Sequence, residues 1–178
     1  KKFKEIIFSN KNIKKSNFEK ISPIFIIGLP RSGSTLVETS LSYNDKTKAI
    51  GESSIINMAI LNQISQKIFD KNFDKKNFHF SIDCSELESF VTKKFNNLFD
   101  FNKNVKFIDK TLENFFNVEI ILNLFPNAKF LHCFRNFNDA TIAIFQSLLP
   151  TLSWTHNLDD IIKYIDEYIK TINYFKKK

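Results

Sequence analysis

The sequence predicts a three-layer α/β domain, with a central parallel sheet flanked by helices. Three observations carry this. The run Ile24-Phe25-Ile26-Ile27 shows no polar alternation, as expected of a strand covered on both faces. A glycine-bracketed loop, GLPRSGST, follows it at once and opens a helical pattern. Two more short apolar runs, 105–108 and 128–134, each lead into a helical segment. Strands alternating with helices imply parallel pairing through crossovers.

Residues 1–21 are basic and weakly patterned, and we expect an arm or a linker from an upstream segment. Residues 22–178 form the domain proper. After the strand 23–28, a helix over 34–43 is expected to turn Leu36, Val37 and Leu41 toward the sheet. Asn44 to Lys48 is expected to be polar loop. A longer helix over 53–69 carries Ile55, Ile56, Ala59, Ile60, Ile64 and Ile68 at helical spacing. Residues 70–80 are a Lys/Asn/Asp/Phe-rich loop. Ser85 is the expected cap of a helix reaching 99, with Glu86 and Glu88 in its first turn. The strand 105–108 ends in Asp109-Lys110-Thr111. A helix follows over 114–125, and Pro126-Asn127 turns the chain into the strand 128–134. Arg135-Asn136 leaves that strand for a helix over 138–148. The loop 150–157 holds the sole tryptophan, Trp154, expected to pack rather than bind. Asp159 and Asp160 begin a last amphipathic helix.

Composition sharpens this picture. With 178 residues, 43% of them hydrophobic, the chain is one domain with a sizeable core. The net charge of +7 comes from lysines spread along the chain, which form no stripe suited to nucleic acid. Among 26 cationic side chains only Arg31 and Arg135 are arginine, and there are only three glycines, Gly28, Gly33 and Gly51. A chain that uses lysine for general surface charge keeps arginine where a planar fork is needed. It keeps glycine where backbone must approach a ligand or take positive φ. The 21 phenylalanines are taken as compositional bias. Cys84 and Cys133 lack metal spacing, His79, His132 and His156 are scattered, and we assign no metal. No apolar stretch approaches the roughly 18 residues that span a membrane, and a cytoplasmic setting is expected.

The loop carries the first chemistry. A strand, a glycine-containing turn and a helix start aim backbone N–H groups and a positive dipole end at one spot, which suits a phosphate. From Gly28 the spacing matches the P-loop pattern, so the domain is P-loop-like, but Ser34 stands where that pattern has lysine. Arg31 is the loop's only cation. Nucleotide triphosphate chemistry needs the missing lysine, so the charge is supplied differently here. In parallel sheets ligands gather at the carboxyl ends of the strands. Three polar clusters are expected there: 28–35, Asp109-Lys110 and Arg135-Asn136.

PIFIIGLPRSGSTLVE, FIDKTLENFFNVEIILNLFPNAKFLHCFRN and RNFNDATIAIFQ together resemble the sulfotransferase family. The nearest likeness is to bacterial members that often follow tetratricopeptide repeats, and to tyrosylprotein sulfotransferases. The resemblance covers roughly residues 22–175. It implies transfer of a sulfuryl group from 3′-phosphoadenosine 5′-phosphosulfate (PAPS) to a hydroxyl of a protein, glycan or small molecule. Adenosine 3′,5′-bisphosphate (PAP) is the implied product. It places Arg31, Ser32, Gly33, Ser34 and Thr35 on the 5′-phosphosulfate, and Arg135 on the 3′-phosphate as a second anchor one nucleotide's reach away. It makes Glu52 the catalytic base, while Lys110 and Arg31 assist the transferred group. No metal, nucleic acid or membrane is implied, and an upstream repeat domain is a candidate partner. Two departures stand out. Ala143 replaces a serine expected eight residues after Arg135, with Thr141 nearby, and the segment that closes over the adenine is missing, as if the domain were shortened at its C-terminal end.

Plain alternatives exist for each residue. Arg31 is otherwise an ordinary surface arginine and Arg135 a partner of Asp139. Lys110 is otherwise a solvated lysine and Glu52 a carboxylate favoured by a helix dipole. Two other functions compete: a non-catalytic domain of the same fold, and a P-loop nucleotide kinase.

Overall fold

In the computed structural model, residues 7–8, 18–69, 81–96 and 106–177 are described. Strand β1 (Ile7–Phe8) pairs in parallel with β4 (Ser81–Ile82). The other four strands are β2 (Ile24–Gly28), β3 (Thr47–Ala49), β5 (Lys106–Asp109) and β6 (Lys129–Cys133). They form one all-parallel sheet in the order β3-β5-β2-β6. The helices are α1 (Ser34–Ser42), α2 (Ile55–Ile68), α3 (Cys84–Asn96), α4 (Val118–Leu124), α5 (Phe137–Ser147) and α6 (Leu158–Lys176). The expected α/β architecture is therefore present. Residues 1–17 of the expected arm 1–21, the loop 70–80 and the C-terminal end of the predicted helix reaching 99 lie outside the described residues, apart from β1.

The unbroken apolar run made β2 the middle of the molecule. Residues 25–28 are buried, and successive side chains serve opposite faces. Ile26 packs with Ile108, Cys133 and, from α1, Val37 and Leu41. Phe25 joins Phe107, Phe95, Phe125 and Phe18 beneath α2, α3 and α4. Ile27 belongs to a further cluster with Ala140, Ile144, Ile161 and Tyr168 of α5 and α6. Helices thus cover both faces, giving three layers. The phenylalanines have a structural use: the Phe18–Phe125 and Phe95–Phe107 centroids lie 4.6 and 4.7 Å apart, within the range where aromatic pairs add to simple burial.

Several local expectations are corrected. The predicted loop 44–48 runs into an edge strand, β3, whose register sets Lys48 beside Phe107 and Ala49 beside Ile108. An edge strand has one neighbour and tolerates polar residues, so its pattern was not strand-like. Leu36 is exposed rather than turned to the sheet. The expected helix over 114–125 divides into a 3₁₀ turn, Leu112–Phe116, and α4. Asp83, not Ser85, caps α3: its Oδ1 accepts from the N–H groups of Ser85 and Glu86 at 2.8 and 3.3 Å. A carboxylate two residues earlier reaches those amides, whereas Ser85 already lies inside the first turn.

Candidate active site

The loop after β2 is shaped by two positive-φ residues, Arg31 at 64° and Gly33 at 86°. Interleaving left-handed residues is how a chain gathers successive N–H groups around one concavity. Gly33 directly precedes α1, and no side chain caps that helix. The loop hydroxyls therefore do not cap it, and the first-turn amides are left to another acceptor. Ser34, at the lysine position of a P-loop, is buried. Ser32 Oγ is buried and has no hydrogen-bond partner among the described residues. Gly28 is required where it stands: a Cβ there would lie 2.4 Å from the Cys133 carbonyl oxygen of β6.

A second group forms where β3 and β5 end side by side. The Lys110 N–H donates to the Gly51 carbonyl at 2.8 Å, extending the ladder past the strands. Gly51 has φ 63°, which turns the chain back so that Glu52 meets Lys110. The Lys110 ammonium donates to Glu52 Oε1 at 2.7 Å. Lys110 is nearly buried, with its side chain 10% exposed, while that of Glu52 is 65% exposed. A solvated lysine is thereby excluded, because a buried ammonium must be paired. Beneath the pair, buried Asp109 accepts from Ser53 Oγ at 2.5 Å and from the Thr111 N–H at 2.7 Å. Burial pushes its carboxyl above the usual value, opposed by the hydrogen bonds from Ser53 and Thr111. The Ser54 N–H donates to Thr111 Oγ1 at 3.0 Å. This clasp fixes the Gly51-Glu52 turn to the end of β5.

The third cluster sits at the joint of β6 and α5. Asn136 caps α5, accepting from Asn138 and Asp139 N–H groups, and so sets Arg135 at the sheet edge. Arg135 reaches back to the loop after β2. Its Nη1 donates to the Arg31 carbonyl at 3.0 Å, so the only two arginines are joined through the loop backbone. The expected alternative pairing with Asp139 is not what the structure shows. Thr141 Oγ1 donates back to the Phe137 carbonyl at 2.8 Å within the helix.

The first two of these clusters open on one cleft of about 440 Å³. Arg31, Ser34, Thr35, Glu52 and Lys110 all line it. Ser32, Gly33 and Arg135 do not, although they belong to the loop or touch it. The remaining wall comes from the 3₁₀ turn after β5, the α5–α6 loop and Tyr164 of α6. Trp154 lies flat on Tyr164, with centroids 3.8 Å apart and 7° between planes, so it packs behind the wall as expected. Burial pushes the Tyr164 hydroxyl well above its usual pKa, and nearby Glu113, to which it hydrogen-bonds, adds to the shift.

The family model for the sulfotransferase family matches residues 23–177. The chain belongs to the sulfotransferase family. It is 30% identical over 141 residues to an uncharacterized protein of Aquifex aeolicus (strain VF5), a match covering 70% of this chain and 17% of that protein. The chain thus spans about a sixth of the curated relative it matches. Among solved structures it is similar to sulfotransferase STF9 from Mycobacterium avium, at 14% identity and a TM-score of 0.38, covering 71% of this chain and 46% of that one.

Sequence reasoning missed Glu38. It stands on α1, in the turn after the loop, and its Oε1 accepts from the Gly51 N–H at 3.1 Å. Its Oε2 lies 4.0 Å from the Lys110 ammonium. Glu38 therefore ties α1 to the turn that carries Glu52. The available signal was an acid among apolar and hydroxyl residues one turn into the helix. Ser53 had no signal, since its partner Asp109 lies 56 residues further along the chain. No helix among the described residues is long and apolar enough to cross a membrane.

Proposed function

We propose that this chain transfers a sulfuryl group from PAPS to a hydroxyl acceptor, by in-line displacement. The observation that carries the reading is the convergence of Arg31, Ser34, Thr35, Glu52 and Lys110 on one cleft at the start of α1. The residues present fit the donor's phosphosulfate end. Ser32 Oγ is a buried hydroxyl that lacks a partner, and α1 begins without a side-chain cap. Both are satisfied by an anion at a helix N-terminus. On this reading Arg31, Ser32, Gly33, Ser34 and Thr35 hold the 5′-phosphosulfate. Arg135 holds the 3′-phosphate with the donors its bond to Arg31 leaves over, since a guanidinium carries five N–H groups.

The donor supplies an activated sulfuryl group whose bridging oxygen gathers charge as it leaves. Lys110 and Arg31 are placed to stabilise that charge, and preorganised cations are the main lever for such loose transition states. Glu52 takes the acceptor's proton. Its exposed carboxylate is open to an incoming hydroxyl, while Lys110, Gly51 and the Asp109 clasp hold it in place.

Titration calorimetry with PAP tests the reading, with one site expected. A folded protein that binds no PAP would sink it and favour a non-catalytic domain. ATP binding that depends on Mg²⁺ would favour the kinase. Arg31→Ala is expected to abolish PAP binding. Glu52→Gln is expected to keep it while turnover falls about 10²-fold or more, the usual share of a general base. Full activity in that variant would remove Glu52 from its role.

A further inference from the structure

The cleft has a second wall that the donor does not need. Leu112 and Glu113 reach it from the 3₁₀ turn, Leu149 and Leu152 from the α5–α6 loop, and Tyr164 from α6. This wall is rigid. Leu149 and Leu152 sit in a loop that bonds to itself: the Leu152 N–H donates to the Leu149 carbonyl at 3.0 Å, and buried Thr155 donates its hydroxyl to the Leu152 carbonyl at 2.7 Å. His156 Nε2 also contacts the Leu149 carbonyl, at 3.1 Å. The Tyr164 ring stacks flat on Trp154 and meets Phe115 in a T-shaped contact. Three leucines and a fixed aromatic ring offer apolar contact at small cost in ordering.

The charge distribution is one-sided. The cleft's two cations are Arg31 and Lys110, and Lys110 is already paired with Glu52. The one charged residue among the five on the second wall is Glu113. A carboxylate or sulfate on the acceptor would face Glu113 and Glu52 with no free cation on this wall, and juxtaposed like charges reject a partner. An ammonium would donate a charge-assisted hydrogen bond to the Glu113 carboxylate. The volume of about 440 Å³ sits toward the lower end of small-molecule sites, roughly 300–1,000 Å³.

We propose that this wall is the acceptor subsite, and that it takes a small aromatic or apolar alcohol, neutral or cationic, while rejecting polyanionic acceptors. This rests on the sulfuryl-transfer reading for the role of the hydroxyl. The binding preference itself is read from the wall alone.

Trp154 is the only tryptophan and stacks on the wall, so its fluorescence reports occupancy. The full chain is first titrated with PAP by calorimetry. Selective tryptophan emission is then followed, with and without PAP, during titration with 4-ethylphenol, with tyramine and with a tyrosyl peptide flanked by aspartates. Both small phenols are expected to shift the emission, tyramine the more tightly. The acidic peptide is expected to bind at least about tenfold more weakly than tyramine. Glu113→Gln is expected to cost tyramine about tenfold and to leave 4-ethylphenol nearly unchanged. Tighter binding of the acidic peptide overturns the inference, and so does PAP binding without any response to the phenols. An equal loss for both phenols in Glu113→Gln overturns the charge selectivity. Phenol binding without PAP binding removes the donor reading and leaves the subsite standing. Silence to all ligands removes both.

Discussion

Gly28 ends β2 against the backbone of β6, and the loop's geometry begins from that contact. The Cys133 carbonyl leaves no room for a methyl group, and φ at 152° is strained for other residues. Gly28→Ala is expected to destabilise the fold by about 3 kcal/mol through overpacking and backbone strain, read from the midpoint of urea unfolding. An unchanged midpoint would show that β6 can move aside. Rarity pointed to the right residues here: the two arginines meet through the Arg31 carbonyl, and all three glycines take positive φ. It was silent on Lys110, one lysine among many. What singles Lys110 out is burial beside Glu52 and Glu38, and burial depends on the two neighbouring strands.

At the scale of elements, caps and edges decide what periodicity leaves open. Asp83 joins two elements. Its carboxylate caps α3, while its backbone exchanges hydrogen bonds with Gln63 of α2. The Ser85 hydroxyl, above all, holds the carboxyl below its ordinary value of 3.8. A carboxyl depressed in the folded state contributes stability above its unfolded pKa and loses it as pH falls through the folded one. Asp83→Ala is therefore expected to cost about 1 kcal/mol near neutral pH, and progressively less in acid below that ordinary value. Chemical denaturation at the two pH values checks it, and a cost that persists in acid would contradict the cap. The long amphipathic pattern of α6 was legible, with Asp159 and Asp160 in its first turn, whereas its cap, Asn157, was read only as loop. The strand β3 was not, because three residues at a sheet edge need neither alternation nor apolar side chains.

For the whole molecule, α6 is locked to the sheet through His132 of β6, whose Nε2 meets the Tyr168 hydroxyl. Burial raises the Tyr168 pKa to about 12, so the phenol stays protonated beside the imidazole. Burial, and then the charge of Lys176, holds His132 below its ordinary 6.5. The unfolded chain therefore binds the extra proton, and the contribution is fully present above 6.5 and lost as pH falls through the folded value. The unfolding midpoint is expected to decline on acidification from that value, with a shallower decline in His132→Asn. Equal slopes in both proteins would remove the pair from the pH response.

Consecutive residues alone specified the strand–loop–helix unit at Gly28 to Ser42, the alternation of strands and helices, the family, and the cleft residues Arg31, Ser34, Thr35, Glu52 and Lys110. These are local: a turn, a period or a spacing is written in consecutive residues. Only the tertiary structure decided which groups face one another. Placing β5 beside both β2 and β3 brought Lys110 to Glu52, set Asp109 under Ser53, and put Glu38 within reach of Gly51. It also closed the cleft with Tyr164, far along the chain. Such pairings depend on strand order, and strand order follows from burying all the apolar faces at once.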